Sequence, residues 1–158
     1  MKRDLKLFTA FVPLSRALAD TQYNGTATVA SAVGIAMGSA KTANVLISLG
    51  AVGATSVTYS LMVSKLSSPA TADDLQAVAE ATIAIASTDA NTQKVVSVRL
   101  DRAALNEALK YDNLYLYVKR VQVGAVATLD NVSIALTDHQ EIPVLVNAGY
   151  AANVEALG

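Results

Sequence analysis

The chain has 158 residues with 12 basic and 13 acidic side chains, a formal net charge of −1, and no cysteine. That balance removes any bulk attraction to nucleic acid or anionic lipid, and the missing thiols exclude disulfides, thiolate metal sites and a cysteine nucleophile. The length suits one domain, and a content of 53% hydrophobic but only 5% aromatic residues predicts a thin core of small apolar side chains.

The N-terminal stretch, residues 1–20, carries Leu5, Leu7, Phe8, Phe11, Val12 and Leu14 with no clean helical or strand period. Asp4, Lys6 and Pro13 interrupt it, so it reads as an arm and not a signal peptide. An apolar terminus needs a cover, supplied by its own domain as a first strand or by a neighbouring subunit.

From Thr21 to Ser64 the only charge is Lys41. A turn at Tyr23-Asn24-Gly25 leads into an expected strand over Ala27–Val33. Gly34, Gly38 and Lys41-Thr42 have the wrong spacing for a phosphate-binding loop. Ala43 to Val63 is uncharged for long enough to span a bilayer. However, Val45, Ile47 and Leu49 alternate with other residues, as do Val57, Tyr59, Leu61 and Val63, with a turn at Gly50–Thr55. This pattern predicts a β-hairpin, with a membrane helix as the alternative.

Ser67-Ser68-Pro69 ends that unit. Thr71 followed by Asp73 and Asp74 has the form of a helix cap, predicting a short helix through Leu75, Val78 and Ala79, with a long structured loop as the alternative. Ile83 and Ile85 mark a brief strand, Ser87 to Gln93 a polar turn, and Lys94 to Leu100 a strand with Val96 and Val98 on one face. Asp101 is placed to cap a helix over Arg102–Lys110.

The strongest pattern runs from Asn113 to Pro143. Leu114, Leu116 and Val118 alternate, as do Val132, Ile134 and Leu136, and the short link Gly124–Asp130 predicts a second antiparallel hairpin. The apolar alternation slips at Lys119 and Arg120, because Val121 and Val123 fall out of phase; a β-bulge there would restore it. The tail after Pro143 is apolar, with Val144, Val146 and Tyr150. In all, the chain predicts a mainly β fold, an antiparallel β-sandwich or partly closed barrel of about seven to eight strands, with one or two short helices and extended terminal arms. The divisions are 1–20 as arm, 21–144 as sandwich and 145–158 as tail.

Chemistry-bearing patterns are sparse. His139 lies between Asp138 and Glu141, but no second histidine or cysteine completes a metal set, and G-x-S-x-G is absent. Lys119-Arg120 beside Tyr115 and Tyr117 resembles a stacking platform for single strands; without a wider basic stripe it reads as a solvated strand face. Asn24-Gly-Thr and Asn131-Val-Ser match the glycosylation pattern, which arises often by chance. Neither a catalytic constellation nor a cofactor site emerges.

A series of strings in order resembles the small structural proteins of tailed bacteriophages. These are Arg3-Asp4-Leu5-Lys6, Ser87-Thr88-Asp89-Ala90-Asn91-Thr92, Lys94-Val95-Val96-Ser97-Val98, Tyr115-Leu116-Tyr117-Val118-Lys119, Val132 to Leu136, and His139 to Pro143-Val144. The chain departs from that pattern in the inserted Arg102–Lys110 segment and in lacking a terminal Gly-His-Pro. The resemblance implies a non-enzymatic virion component, a capsid decoration or cement protein on the outer capsid surface. Its partners would be the major capsid protein and itself, as a homotrimer, with no nucleic acid or membrane. The alternatives are a head-completion or tail ring protein, and a membrane protein built on 43–63. Leu5, Leu7, Phe8, Phe11, Val12, Leu14, Val144, Val146 and Tyr150 are then the candidate contacts with neighbouring subunits.

Overall fold

The computed structural model describes residues 6–16, 21–99, 113–124, 126–137 and 153–157. Among the described residues ten strands follow in chain order: β1 (Lys6–Arg16), β2 (Thr21–Tyr23), β3 (Ile35–Ala36), β4 (Thr42–Val52), β5 (Ser56–Ser64), β6 (Gln76–Ile85), β7 (Gln93–Arg99), β8 (Tyr115–Val123), β9 (Thr128–Thr137) and β10 (Asn153–Leu157). One sheet has the order β1-β9-β4-β7-β10, the other β2-β8-β5-β6 with β3 also on β8. Every pairing is antiparallel except that of β10 with β7. The two sheets stack as a β-sandwich, not a closed barrel.

Most of the expected strands are present, but neither expected hairpin exists. β4 belongs to the first sheet and β5 to the second; β8 belongs to the second and β9 to the first. Each pair is a corner at which the chain leaves one sheet for the other. Period-two alternation is satisfied equally by a hairpin and by a corner, because both give every strand one face toward the core. The ladders are instead long-range: β4 pairs with β9 and β7, and β5 with β8 and β6. The stretch Ala43–Val63, long enough for a membrane span, is thus two strands and a corner. Among the described residues no helix is long and apolar enough to cross a membrane.

Two further expectations are corrected. Ala27–Val33 is not a strand but a loop with a 3-10 turn at Val29–Ser31. The helix expected through Leu75 and Ala79 is only a 3-10 turn, Ala72–Asp74, after which the chain extends into β6. The Asp74 carboxylate accepts hydrogen bonds from the Ala70 and Thr71 N–H groups, so the capping chemistry read at Thr71 holds a single turn. The Val, Thr and Ile that follow favour extended backbone. The helix expected over Arg102–Lys110, and His139, lie outside the described residues.

The interior is lined by Val45, Ile47, Leu49, Val57, Leu61, Val63, Leu116, Val118, Val132, Ile134 and Leu136, all buried. Aliphatic side chains of this size contribute about 1.5–3 kcal/mol each on burial, and beside the small residues that composition suggested, valine above all, the core carries the larger Ile and Leu. Phe11 meets Tyr59 edge to face across the interior, with ring centroids 6.3 Å apart.

A second cluster lies on the outer face of the β8 sheet, where Tyr23, Val29, Ala32 and Leu75 cover Tyr117. Asn24 clamps the covering loop to β8. Its backbone N–H donates to the Val118 carbonyl at 3.0 Å, its Oδ1 accepts from the Val118 N–H at 2.8 Å, and its Nδ2 donates to the Val33 carbonyl at 2.8 Å. Asn24 does this with φ at 45°, a left-handed conformation asparagine tolerates better than most residues. Gly34 lies so close to Tyr115 and Tyr117 that a Cβ there would collide with both rings' side chains. Its role is close approach, not phosphate binding.

Candidate functional site

Both corners meet at one end of the sandwich. The Gly53 N–H donates to the Ala127 carbonyl at 3.0 Å, the Thr55 N–H to the Val123 carbonyl at 2.9 Å, and the Ala54 N–H to Thr128 Oγ1 at 3.2 Å. Small residues make this contact possible: a Cβ on Gly53 would collide with Val126 and the Ala127 carbonyl. The apex formed in this way presents Val123, Val126 and Leu129 to solvent at 54%, 64% and 42% exposure. They are three of the large apolar side chains that the fold leaves uncovered, all within the β8–β9 corner, with Val123 on the outer face of one sheet and Leu129 on that of the other.

A buried polar group holds the apex from inside. Because the β8 ladder with β5 runs unbroken from Ser56↔Val123 to Ser64↔Tyr115, the bulge expected at Lys119 and Arg120 is absent. Strand parity therefore continues inward through Leu116, Val118, Arg120 and Gln122, and Val121 and Val123 turn outward. Arg120 is not on a solvated face; it is fully buried. Its Nε donates to Asp130 Oδ2 at 2.6 Å and its Nη2 to Gln122 Oε1 at 2.6 Å. Such burial is tolerated only because the guanidinium is paired and hydrogen-bonded.

The network crosses the sandwich. Arg120 and Tyr59 come from one sheet and Asp130 from the other, and the Tyr59 hydroxyl donates to the same Asp130 oxygen. Burial, and then the facing carboxylate of Asp130, push the Tyr59 phenol well above its usual range. It is thus held as a neutral donor. Gln122 carries the connection out to the apex, its Nε2 donating to the carbonyls of Gly124 at 3.0 Å and Val126 at 3.2 Å. Arg120 Nη1 is buried with no hydrogen-bond partner.

This arrangement positions a surface. Arg120 and Asp130 are closed to solvent, and the group braces the corner from inside. No cluster of three or more metal-ligating side chains occurs among the described residues. The platform suspected around Lys119 and Arg120 is not presented either, since Arg120 points inward and Tyr117 is covered.

The residues singled out from sequence as subunit contacts are scattered. Leu7 is exposed at 72% on β1, Phe8 packs partly against the core, and Phe11 is fully buried inside the sandwich. Of the two covers weighed for the apolar N-terminal stretch, Phe11 uses its own domain. Val12 and Leu14 share β1, the edge strand paired with β9. Leu5, Val144, Val146 and Tyr150 lie outside the described residues. The apex and its brace were missed, although a signal existed. Asp130 is in phase with Val132, Ile134 and Leu136, and Arg120 with Leu116 and Val118, so unbroken parity puts opposite charges inside on either side of one short turn.

No family model matches the chain, nor does any curated protein. Among solved structures, a chain in the structure of infectious bursal disease virus, Gx strain, is similar over 88% of this chain and 32% of its own length, at 11% identity and a TM-score of 0.31. This chain spans about a third of that one, and a likeness of this size carries no functional argument.

Proposed function

We propose that the protein is a non-enzymatic structural component of a virion, a capsid decoration protein that seats its apolar apex on the major capsid protein from the outside. The observation that carries this reading is the apex itself. Three large apolar side chains project from the β8–β9 corner, which is hydrogen-bonded to the β4–β5 corner and braced by Gln122 and a buried ion pair. A rigid, preorganised apolar end loses little entropy on docking. Full burial of a Val or Leu contributes about 1.5–3 kcal/mol, and covering what these half-exposed side chains still show contributes about half of that. Stable interfaces cover about 800 Å² per partner, so the apex would act with further contacts or with several linked copies, as a homotrimer on a repeating shell provides. The resemblance of the strand strings to tailed-phage structural proteins supports the same assignment.

The test is binding of the purified chain to expanded shells assembled from the major capsid protein encoded in the same genome. Saturable occupancy over the whole shell is expected, visible as added density in averaged particle images. Absence of binding overturns the proposal, and density confined to one vertex or the tail would transfer it to a head-completion or tail ring role.

A further inference from the structure

Asn24 and Gly25 form the single Asn-Gly pair in the sequence, and the fold sets that pair at the tip of a tight turn. The Tyr23 N–H donates to the Thr26 carbonyl at 2.8 Å and the Thr26 N–H to the Tyr23 carbonyl at 2.9 Å. Between them φ is 45° at Asn24 and 81° at Gly25. Positive φ at both central residues defines the two-residue hairpin turn that Asn-Gly favours. The same pair carries a chemical liability. Glycine has no side chain to shield its backbone nitrogen, so that nitrogen is open to the side-chain carbonyl of the asparagine before it.

In an unrestrained chain the Gly25 nitrogen attacks Asn24 Cγ. The N–Cγ bond forms, the Cγ–Nδ2 bond breaks, and Nδ2 leaves as ammonia with the proton that the Gly25 nitrogen gives up. Water then opens the cyclic imide at either carbonyl, leaving aspartate or its β-linked isomer, and no other reactant is needed. The native geometry opposes the first step. Asn24 Nδ2 donates to the Val33 carbonyl at 2.8 Å and Oδ1 accepts from the Val118 N–H at 2.8 Å. Both ends of the amide are thereby tied to other segments, and Cγ is not free to turn toward the Gly25 nitrogen until those bonds open. The loop that has to open is fastened further by the Tyr117 hydroxyl on the Leu66 carbonyl at 2.7 Å and by the Gly34 N–H on the Ser67 carbonyl at 3.0 Å.

Conversion also undoes the clamp. An aspartate at this position has no N–H for the Val33 carbonyl and sets a carboxylate oxygen against that carbonyl oxygen. The β-linked isomer adds a backbone carbon inside the turn and breaks the pairing of Tyr23 with Thr26. Opening permits the chemistry, and the chemistry prevents reclosing. We propose that Asn24 is a deamidation site latched by the fold: the outer loop keeps the asparagine unreactive, and reaction during an opening unfastens the loop irreversibly.

Peptide mapping by mass spectrometry, which reads the exchange of ammonia for water, tests this on the full chain in mildly alkaline buffer, native and unfolded in urea. Asn24 is expected to convert at least about tenfold faster in the unfolded chain, because native reaction waits for a local opening that costs at least about 1.4 kcal/mol. Gly34→Ala, whose methyl collides with Tyr115 and Tyr117, should speed native conversion roughly tenfold, the response to about 1.4 kcal/mol of lost loop stability. Should that variant not fold, Tyr117→Phe, which loses the bond to Leu66, is expected to speed conversion in its place. Equal rates in the native and unfolded chains, no conversion of Asn24 in urea, or a folded loop variant that converts at the natural rate each overturn the latch. The consequence is read on Asn24→Asp, made directly. Its Gly34 amide, next to the released Val33 carbonyl, should exchange faster while Val132 and Ile134 keep their protection; unchanged exchange at Gly34 overturns the claim that conversion unfastens the loop.

Discussion

The sandwich buries Tyr59 and Tyr117 in two different ways. Inside, Tyr59 gives its hydroxyl to the Asp130 carboxylate within a charged network that joins the sheets. Outside, Tyr117 gives its hydroxyl to the Leu66 carbonyl at 2.7 Å, under a loop clamped by Asn24. The inner group is all or nothing, because removing one partner strands a charge in the core. The outer cluster is modular, and its loss exposes β8 without leaving an ion unpaired. The difference shows where this fold stakes its stability and where it only fastens a loop.

The largest expected effect breaks the inner group. Asp130→Ala leaves the Arg120 guanidinium buried and unpaired, and should cost about 3–5 kcal/mol in denaturant unfolding. The paired replacement Arg120→Met with Asp130→Leu should recover most of that loss, since well-packed apolar pairs often match buried ion pairs. If the apex depends on the brace, the paired variant will be stable and yet less well ordered near Val126, visible as faster amide exchange at Val126 and Ala127.

Next in size is Gly34→Ala. The added methyl must displace Tyr117 or Tyr115, and overpacking of this kind costs about 1–3 kcal/mol. Asn24→Ala should follow, at about 1–2 kcal/mol, through lost hydrogen bonds and an unfavourable φ. Both should loosen the outer loop while the inner sheets keep their exchange protection, which is the signature of a modular cluster.

Alkaline titration sharpens the same contrast. Burial pushes the Tyr117 phenol up to about 12 from an ordinary value of 10.0, and Tyr59 is raised further in the same direction. The folded chain holds these protons more tightly than the unfolded one, so their contribution is intact below about pH 10 and is lost as pH rises. Melting temperature should fall between pH 10 and 12. Tyr117→Phe should be slightly less stable at pH 8 and lose less on going from pH 10 to 12; an identical slope would contradict the assignment.

Much of the sandwich was legible in the sequence. The alternation in Ala43–Val63 and in Leu114–Leu136 located four of the strands, because period two follows from a half-buried sheet whatever the topology. Which strand pairs with which was not legible. Val45 finds Ile134 and Val96 as neighbours, and Leu61 finds Val118, over separations that no local pattern records. The brace was obscured for a different reason. In the sequence Arg120 reads as a phase error when charge is taken to face water, and a bulge is the device that keeps it there. Its partner Asp130 lies on the far side of a turn and in the other sheet, so the compensation that lets both be buried appears only once the corner is known.

The smallest expected change in stability belongs to the apex, and it is also the most direct test of what the fold is for. Val126→Asp alters an exposed side chain away from the core, so unfolding free energy should stay within the small range of surface substitutions, about 0.5 kcal/mol. Its occupancy on expanded shells, measured beside the natural chain at equal concentration, is predicted to require at least about tenfold more protein, since about 1.4 kcal/mol of lost burial is tenfold in binding. Equal occupancy of the variant and the natural chain would contradict the assignment of the apex as the docking end.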